Sequence, residues 1–311
     1  MTTSATVPTT DAVFVVGVSR SGTTLMRNIL EGSSQVAICN ENHFLGHLLA
    51  SEGVRQQLRR RFGAGRDDDT ARRMVAFIYD DLLRGSKLRR PSRQWIWTTR
   101  HVTREEMLRR FLATDRSDRA LFELVLRSYA ELRGKPIMGE KTPAHVRYVD
   151  TIFEWFPNAR VIHMVRDPRG IYASEVRRRT LTATSMPYRL LRQMRPALAP
   201  FALVQTTLAW LESVSLLERN ARKHAGRYLH VKFEDLVAEP EAEIRRICDF
   251  IGIPFEQRMT EQVVVSQGRN LGRAGFDRDA ARRWQDDIGP FARSWFAAWF
   301  GRRLRRLGYG D

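Results

Sequence analysis

Cysteine is nearly absent from this chain: its 311 residues include only Cys39 and Cys248. Both thiols sit in apolar patterns, with neither a disulfide framework nor metal-ligand spacing, so a reducing cytoplasmic setting is expected. Long apolar runs are missing too. None approaches the roughly 20 residues a membrane helix needs, and Met1 to Asp11 has neither the basic region nor the apolar stretch of a secretory signal. Lysine is the third scarcity. Only Lys87, Lys135, Lys141, Lys223 and Lys232 stand among 52 basic residues, so arginine supplies most of a formal charge of +17. That charge suits an anionic partner. The basic residues are spread along the chain rather than gathered in one tract, which argues against nucleic-acid binding as the main function.

What is present concentrates in a few short stretches. Val13 to Val16 reads as a buried strand, Gly17-Val18-Ser19-Arg20-Ser21-Gly22 as a tight turn, and Thr23 to Leu30 as the opening of a helix. A strand feeding such a turn into a helix N-terminus is an anion site, because backbone N–H groups and the positive end of the helix dipole converge there. The Gly17-x4-Gly22 spacing matches the nucleotide P-loop. Thr23 stands where the P-loop lysine belongs, and the cation has moved into the turn as Arg20. Ordinary triphosphate hydrolysis is therefore not expected, while phosphate or sulfate binding is.

With Arg20-Ser21-Gly22-Thr23-Thr24-Leu25-Met26-Arg27, the chain resembles the sulfotransferases that use 3′-phosphoadenosine 5′-phosphosulfate (PAPS), and within them the tyrosylprotein branch. The resemblance implies an α/β fold: three layers around a mostly parallel sheet, with a P-loop-like turn and helical insertions. It also implies that Arg20, Ser21, Gly22, Thr23, Thr24 and Leu25 hold the 5′-phosphosulfate. A second stretch agrees. Val161 to Val165 reads as another buried strand, Asp167-Pro168-Arg169-Gly170 as a turn and Ile171 onward as a helix. Arg166 leaves the strand end and Ser174 follows about two turns on, a forked guanidinium and a hydroxyl suited to a phosphate monoester. By resemblance these two hold the 3′-phosphate that separates PAPS from ATP.

Lys135-Pro136-Ile137-Met138-Gly139-Glu140-Lys141-Thr142-Pro143 reads as a short strand ending in a charged turn. A compact ammonium can meet a sulfuryl oxygen as a point charge where a planar guanidinium does not fit, and resemblance assigns that place to Lys141. A hydroxyl nucleophile also needs a base. Val36 to Phe44 looks like a second strand ending beside the first turn. Glu41 falls where the tyrosylprotein branch has its catalytic glutamate, and His43, whose ordinary pKa is better placed, is the rival.

Tyr228 to Val237 reads as a strand, with a helix from about Pro240 to Ile251 behind it. Phe233 stands where the family has tyrosine at an adenine contact. A basic Gly-rich loop, Ser266 to Gly275, resembles a closing lid, with Arg269 and Arg273 as candidates for the 3′-phosphate. The whole of 1–311 is expected to form one domain, with acceptor-side helical insertions at about 50–133 and 177–210. Those insertions contain Trp95-Ile96-Trp97 and Met186-Pro187-Tyr188. The aromatic and arginine-rich segment Phe291 to Leu307 suits a packed helix more than one lying on an acidic membrane.

The expected function is PAPS-dependent sulfuryl transfer to a hydroxyl of a small-molecule, carbohydrate, lipid or peptide acceptor, with PAP as product and no metal required. Two alternatives stand: a metal-dependent P-loop kinase for a small molecule, and a non-catalytic homologue that binds PAP. The missing P-loop lysine argues against the first. Intact Arg20, Lys141 and Glu41 argue against the second.

Overall fold

Every residue of β1 (Ala12–Gly17) is buried, as a parallel strand covered on both faces requires. The computed structural model describes residues 10–46, 52–82, 98–182, 195–266 and 269–310, and only the backbone of 81–82, 179–182, 195–197, 263–266 and 269–273. β1 lies at the centre of a five-stranded sheet with β2 (Val36–Cys39), β3 (Ile137–Lys141), β4 (Arg160–Val165) and β5 (Tyr228–Lys232). The order is β2-β3-β1-β4-β5 and all pairings are parallel. β1 is thus flanked by β3 and β4, and the three motif-bearing turns leave the same edge, at the strand carboxyl ends where open α/β sheets take their ligands. β2 does not neighbour β1. The chain from β1 to β2 skips a place that β3 later fills, so the segment after β2 reaches the site past the end of β3.

Alternation along the strands divides the core. Ala12, Phe14, Val16, Ala37 and Met138 face one cluster with Phe44, Phe122 and Phe156, whereas Val13, Val15, Ile38 and Ile162 face another with Met26, Ile29 and Ile247. The second face is covered by α1 (Thr23–Glu31) and by later helices described below. The first is covered by α2 (Val54–Phe62), α3 (Asp68–Phe77), α4 (Arg104–Leu112), α5 (Asp118–Leu132) and α6 (Val149–Trp155). Both cysteines are free and buried, Cys39 in the first cluster and Cys248 in the second. Gly139 is required inside β3, because a Cβ there would lie 2.4 Å from both Val13 O and Ile38 Cδ1.

Beyond β4, the described elements are α7 (Pro168–Thr182), α8 (Arg195–Lys223), α9 (Phe233–Ala238), α10 (Pro240–Ile251), the β6 (Val263–Ser266) and β7 (Arg269–Ala274) hairpin, α11 (Trp284–Asp287) and α12 (Pro290–Arg306). α9 and α10 complete the cover of the second face. Pro168 is the first residue of α7, where its missing N–H costs nothing. The strand expected over Tyr228 to Val237 ends at Lys232. Phe233 to Ala238 turns helical, with Glu234 and Asp235 in its first turn, where acids favour the helix dipole. α12 packs Ala292, Phe296, Phe300 and Leu304 into a third cluster with α7 and α8. The segments holding Trp95, Trp97 and Tyr188 lie outside the described residues. No described helix is long and apolar enough to cross a membrane.

Candidate active site

The turn after β1 is built by glycine where nothing else fits. Gly17 has φ +144° and a Cβ there would sit 2.5 Å from Met164 O, while Gly22 has φ +95° and a Cβ would meet the Phe233 ring at 2.6 Å. Ser21 closes the turn by donating from both N (3.1 Å) and Oγ (2.7 Å) to Val18 O. Arg20 adopts φ +73°, an uncommon conformation for a residue with a side chain. Helices α3, α4 and α5 start with Asp67, Thr103 and Ser117 capping first-turn amides. α1 starts on Gly22 with no side-chain cap and no acid in its first turn. Those amides, at the positive end of the helix, need an acceptor. Glycine-shaped turn and uncapped amides together fit a phosphate or phosphosulfate group.

The β1 turn and the β4–α7 segment meet directly. Arg20 Nε donates to Ser174 Oγ at 3.0 Å, across 154 positions of sequence. Arg166, at the end of β4, donates from Nη1 to Arg20 O (3.1 Å) and from Nη2 to Ala280 O (2.7 Å). Its guanidinium lies 4.1 Å over the Phe233 ring, and its main-chain carbonyl accepts from Trp210 Nε1 at 2.9 Å. Arg166 Nε is buried and makes no hydrogen bond among the described residues. Burial pulls the Arg166 pKa down to about 10, which still leaves it charged at neutral pH. A partly desolvated cation with an unspent N–H fits an anionic ligand. Burial lowers the Arg20 pKa as well. Phe233 is itself buried, with its ring between Arg166 and Gly22. The side chains of Arg269 and Arg273 lie outside the described residues, and only the β7 backbone that carries them is seen.

Across the turn, Lys141 at the end of β3 is 4 % exposed, and its Nζ lies 2.5 Å from Glu41 Oε1. The other carboxylate oxygen, Oε2, lies 3.4 Å from His43 Nε2. Burial alone pushes the Glu41 pKa up. The hydrogen bond from His43 and the charge and hydrogen bond of Lys141 outweigh it and bring the value down to about 2. Glu41 is therefore a carboxylate held by a cation, with 35 % of its side chain exposed. His43 adopts φ +52°. The two candidate bases thus share one oxygen pair and one turn.

The structure adds residues that sequence reasoning passed over. Ala280 O and Trp210 orient Arg166, and only the fold brings them there. Glu140 Oε2 lies 3.0 Å from His145 Nδ1 beneath the Glu41 turn. The signal for this pair was an acid inside a buried strand beside Lys141. Glu234 accepts from Asp167 N at 3.0 Å.

A family model described as "Sulfotransferase family" matches residues 12–257. The chain is 28% identical over 137 residues to the omega-hydroxy-beta-dihydromenaquinone-9 sulfotransferase Stf3 of Mycobacterium tuberculosis (strain CDC 1551 / Oshkosh), covering 43% of this chain and 33% of that one. It is 24% identical over 275 residues to protein-tyrosine sulfotransferase A of Caenorhabditis elegans, covering 88% and 57%. The chain spans between a third and three fifths of the length of these two relatives. The solved sulfotransferase domain of the Synechococcus PCC 7002 olefin synthase superposes with a TM-score of 0.56 at 19% identity, covering 94% of this chain and 95% of that one, which shows a shared fold.

Proposed function

Because the chain belongs to the sulfotransferase family, we propose that it transfers the sulfuryl group of PAPS to a hydroxyl of an acceptor, using Glu41 as the base. The observation that carries this reading is the convergence of the uncapped α1 turn, the Arg20–Ser174–Arg166 cluster and the Lys141–Glu41 pair on one sheet edge. Bound PAPS supplies a sulfuryl group already activated by its bond to a phosphate oxygen, and that is the bond that breaks.

The chain's own groups do the rest. The amides of Gly22 to Leu25, with Arg20, Ser21, Thr23 and Thr24, hold the 5′ anion, while Arg166 and Ser174 hold the 3′-phosphate. Lys141 balances negative charge on the transferring group and the departing oxygen, a preorganised electrostatic role that needs no metal. When Lys141 turns to an anion it loosens its hold on Glu41, whose pKa then rises toward the ordinary carboxylate range. Glu41 takes the acceptor's hydroxyl proton as the oxygen attacks sulfur in line with the departing oxygen.

The acceptor is a small molecule, carbohydrate, lipid or peptide bearing a hydroxyl, and the insertions at about 50–133 and 177–210 select it within a single domain. Two free buried thiols suit a cytoplasmic location. The test is transfer of labelled sulfate from PAPS to a panel of phenols, sugars, hydroxylated lipids and tyrosyl peptides. Product with wild type and none with Glu41→Gln supports the reading. No product with any acceptor class, alongside no bisphosphate binding, overturns it.

A further inference from the structure

Glu140 and His145 are each 1 % exposed, and the mechanism above gives them no work. Adjacent residues of a strand point to opposite faces. Lys141 reaches Glu41, and Glu140 turns into the core on the other side, at the register position opposite Phe14. A carboxylate placed there costs several kcal/mol unless partners satisfy it. Among the described residues, its partners belong to the turn carrying Glu41 or to the chain just past Lys141. Oε1 accepts from Thr142 Oγ1 and, at 3.4 Å, from Asn42 N, while Oε2 lies 3.0 Å from His145 Nδ1.

His145 continues the chain of contacts. Its Nε2 accepts from Leu45 N at 3.2 Å. An amide can only donate, so the Leu45 contact assigns the ring proton to Nδ1, which lies 3.0 Å from Glu140 Oε2 as an ion-pair contact without hydrogen-bond geometry. The turn from Asn42 to Leu45 is therefore held at both ends by one buried pair. Between the two anchors His43 sits at φ +52°, and Asn42 Oδ1 accepts from Phe44 N at 2.9 Å. The carbonyl side is fixed separately: His43 O accepts from Val54 N (3.3 Å) and Phe44 O from Arg55 N (2.8 Å) at the start of α2.

We infer that Glu140 and His145 form a buried clamp of positioning residues that sets the Glu41–His43 turn against Lys141. The inference rests on the reading of Glu41 as base. Its physical logic is that a left-handed turn on an edge strand drifts unless its amides are anchored, and a base displaced by about 1 Å loses on the order of 100-fold in rate. The clamp acts through Glu41 and touches neither donor nor acceptor.

The experiment uses the whole chain with PAP as ligand and compares Glu140→Ala, Glu140→Gln, His145→Ala and His145→Gln. Gln at 145 can keep an acceptor for Leu45 N. Amide hydrogen exchange of Asn42 and Leu45 reads the clamp without reference to activity. The Ala variants are expected to speed exchange at these amides about tenfold and to lower kcat while the PAP affinity stays within about twofold of wild type. His145→Gln restores Leu45 protection and most of kcat. Should an Ala variant fail to fold, Glu140→Gln and His145→Gln carry the comparison, and faster exchange at Asn42 in the first, with Leu45 protected in the second, is the supporting result. Unchanged exchange and unchanged kcat in folded variants overturn the inference. Equal loss of PAP binding and kcat does so too, by showing a merely structural role. If Glu41→Gln retains wild-type kcat, the base assignment fails, and the exchange data still decide the clamp.

Discussion

Lys141 Nζ and Glu41 Oε1 stand 2.5 Å apart although 100 residues separate them in sequence. In the proposed mechanism, the contact couples the group assigned to a sulfuryl oxygen to the group assigned to the acceptor's proton. In the free protein His43 and Lys141 hold Glu41 as a carboxylate, so the proposed mechanism has its basicity rise once Lys141 faces another anion.

Glu41→Gln should keep bisphosphate binding and lose turnover by about 100-fold or more, the scale of a general base. Steady-state kinetics beside calorimetry of PAP binding checks both halves. Wild-type turnover in Glu41→Gln with loss in His43→Ala would move the role to His43.

The low Glu41 pKa sets a pH signature. Its folded value of about 2 lies below the ordinary 4.5. The pair therefore stabilises the fold fully above the unfolded value and loses that contribution as pH falls through the folded one. The melting-temperature gap between wild type and Glu41→Gln should be widest above pH 4.5 and should narrow toward pH 2. In kcat/KM, which reports the free enzyme, no acid limb is expected between about pH 7 and pH 5. An acid limb in that range that disappears in His43→Asn would assign the base to the imidazole.

Arg166→Lys should weaken PAP binding by about 10- to 100-fold and leave AMP affinity almost unchanged, because a lysine cannot keep the fork to Arg20 O and Ala280 O and also face a phosphate. Parallel titrations with PAP and AMP measure the difference. An equal loss for both ligands would place Arg166 away from the 3′-phosphate.

How much of this was legible in the sequence follows from what each element depends on. The β1 turn could be read because glycine spacing and an Arg-Ser-Gly-Thr-Thr run describe a purely local geometry. Helix α10 starts and stops where Pro240 and Gly252 place its ends, with Gly252 at φ +84°. The Arg20–Ser174 bond was hidden: separate local motifs gave the two residues to opposite ends of one ligand, and only the β1–β4 pairing brings them together. That β3 stands between β1 and β2 is not legible locally, because strand order is a long-range property. Phe233 looked like a ligand contact at a strand end. The strand stops one residue earlier, and Phe233 is the first residue of α9, under Arg166, where local acids rather than the apolar pattern decide the helix.

Gly22→Ala should destabilise the protein by about 1–3 kcal/mol, since a side chain at φ +95° is strained and its Cβ would press on Phe233 at 2.6 Å. Thermal melting checks this, and PAP affinity should fall with it because the turn must move. Wild-type stability in this variant would mean that the turn and α9 pack differently.

The central claim is that Arg166, Ser174 and the uncapped α1 turn together recognise a nucleotide with phosphates at both ends. The most direct test is calorimetric titration of the wild-type chain with 3′,5′-adenosine bisphosphate beside AMP and Mg-ATP. The account predicts binding of the bisphosphate about 10- to 100-fold tighter than AMP, with no gain from the triphosphate or magnesium. Preference for Mg-ATP, or equal affinity for AMP and the bisphosphate, would contradict it.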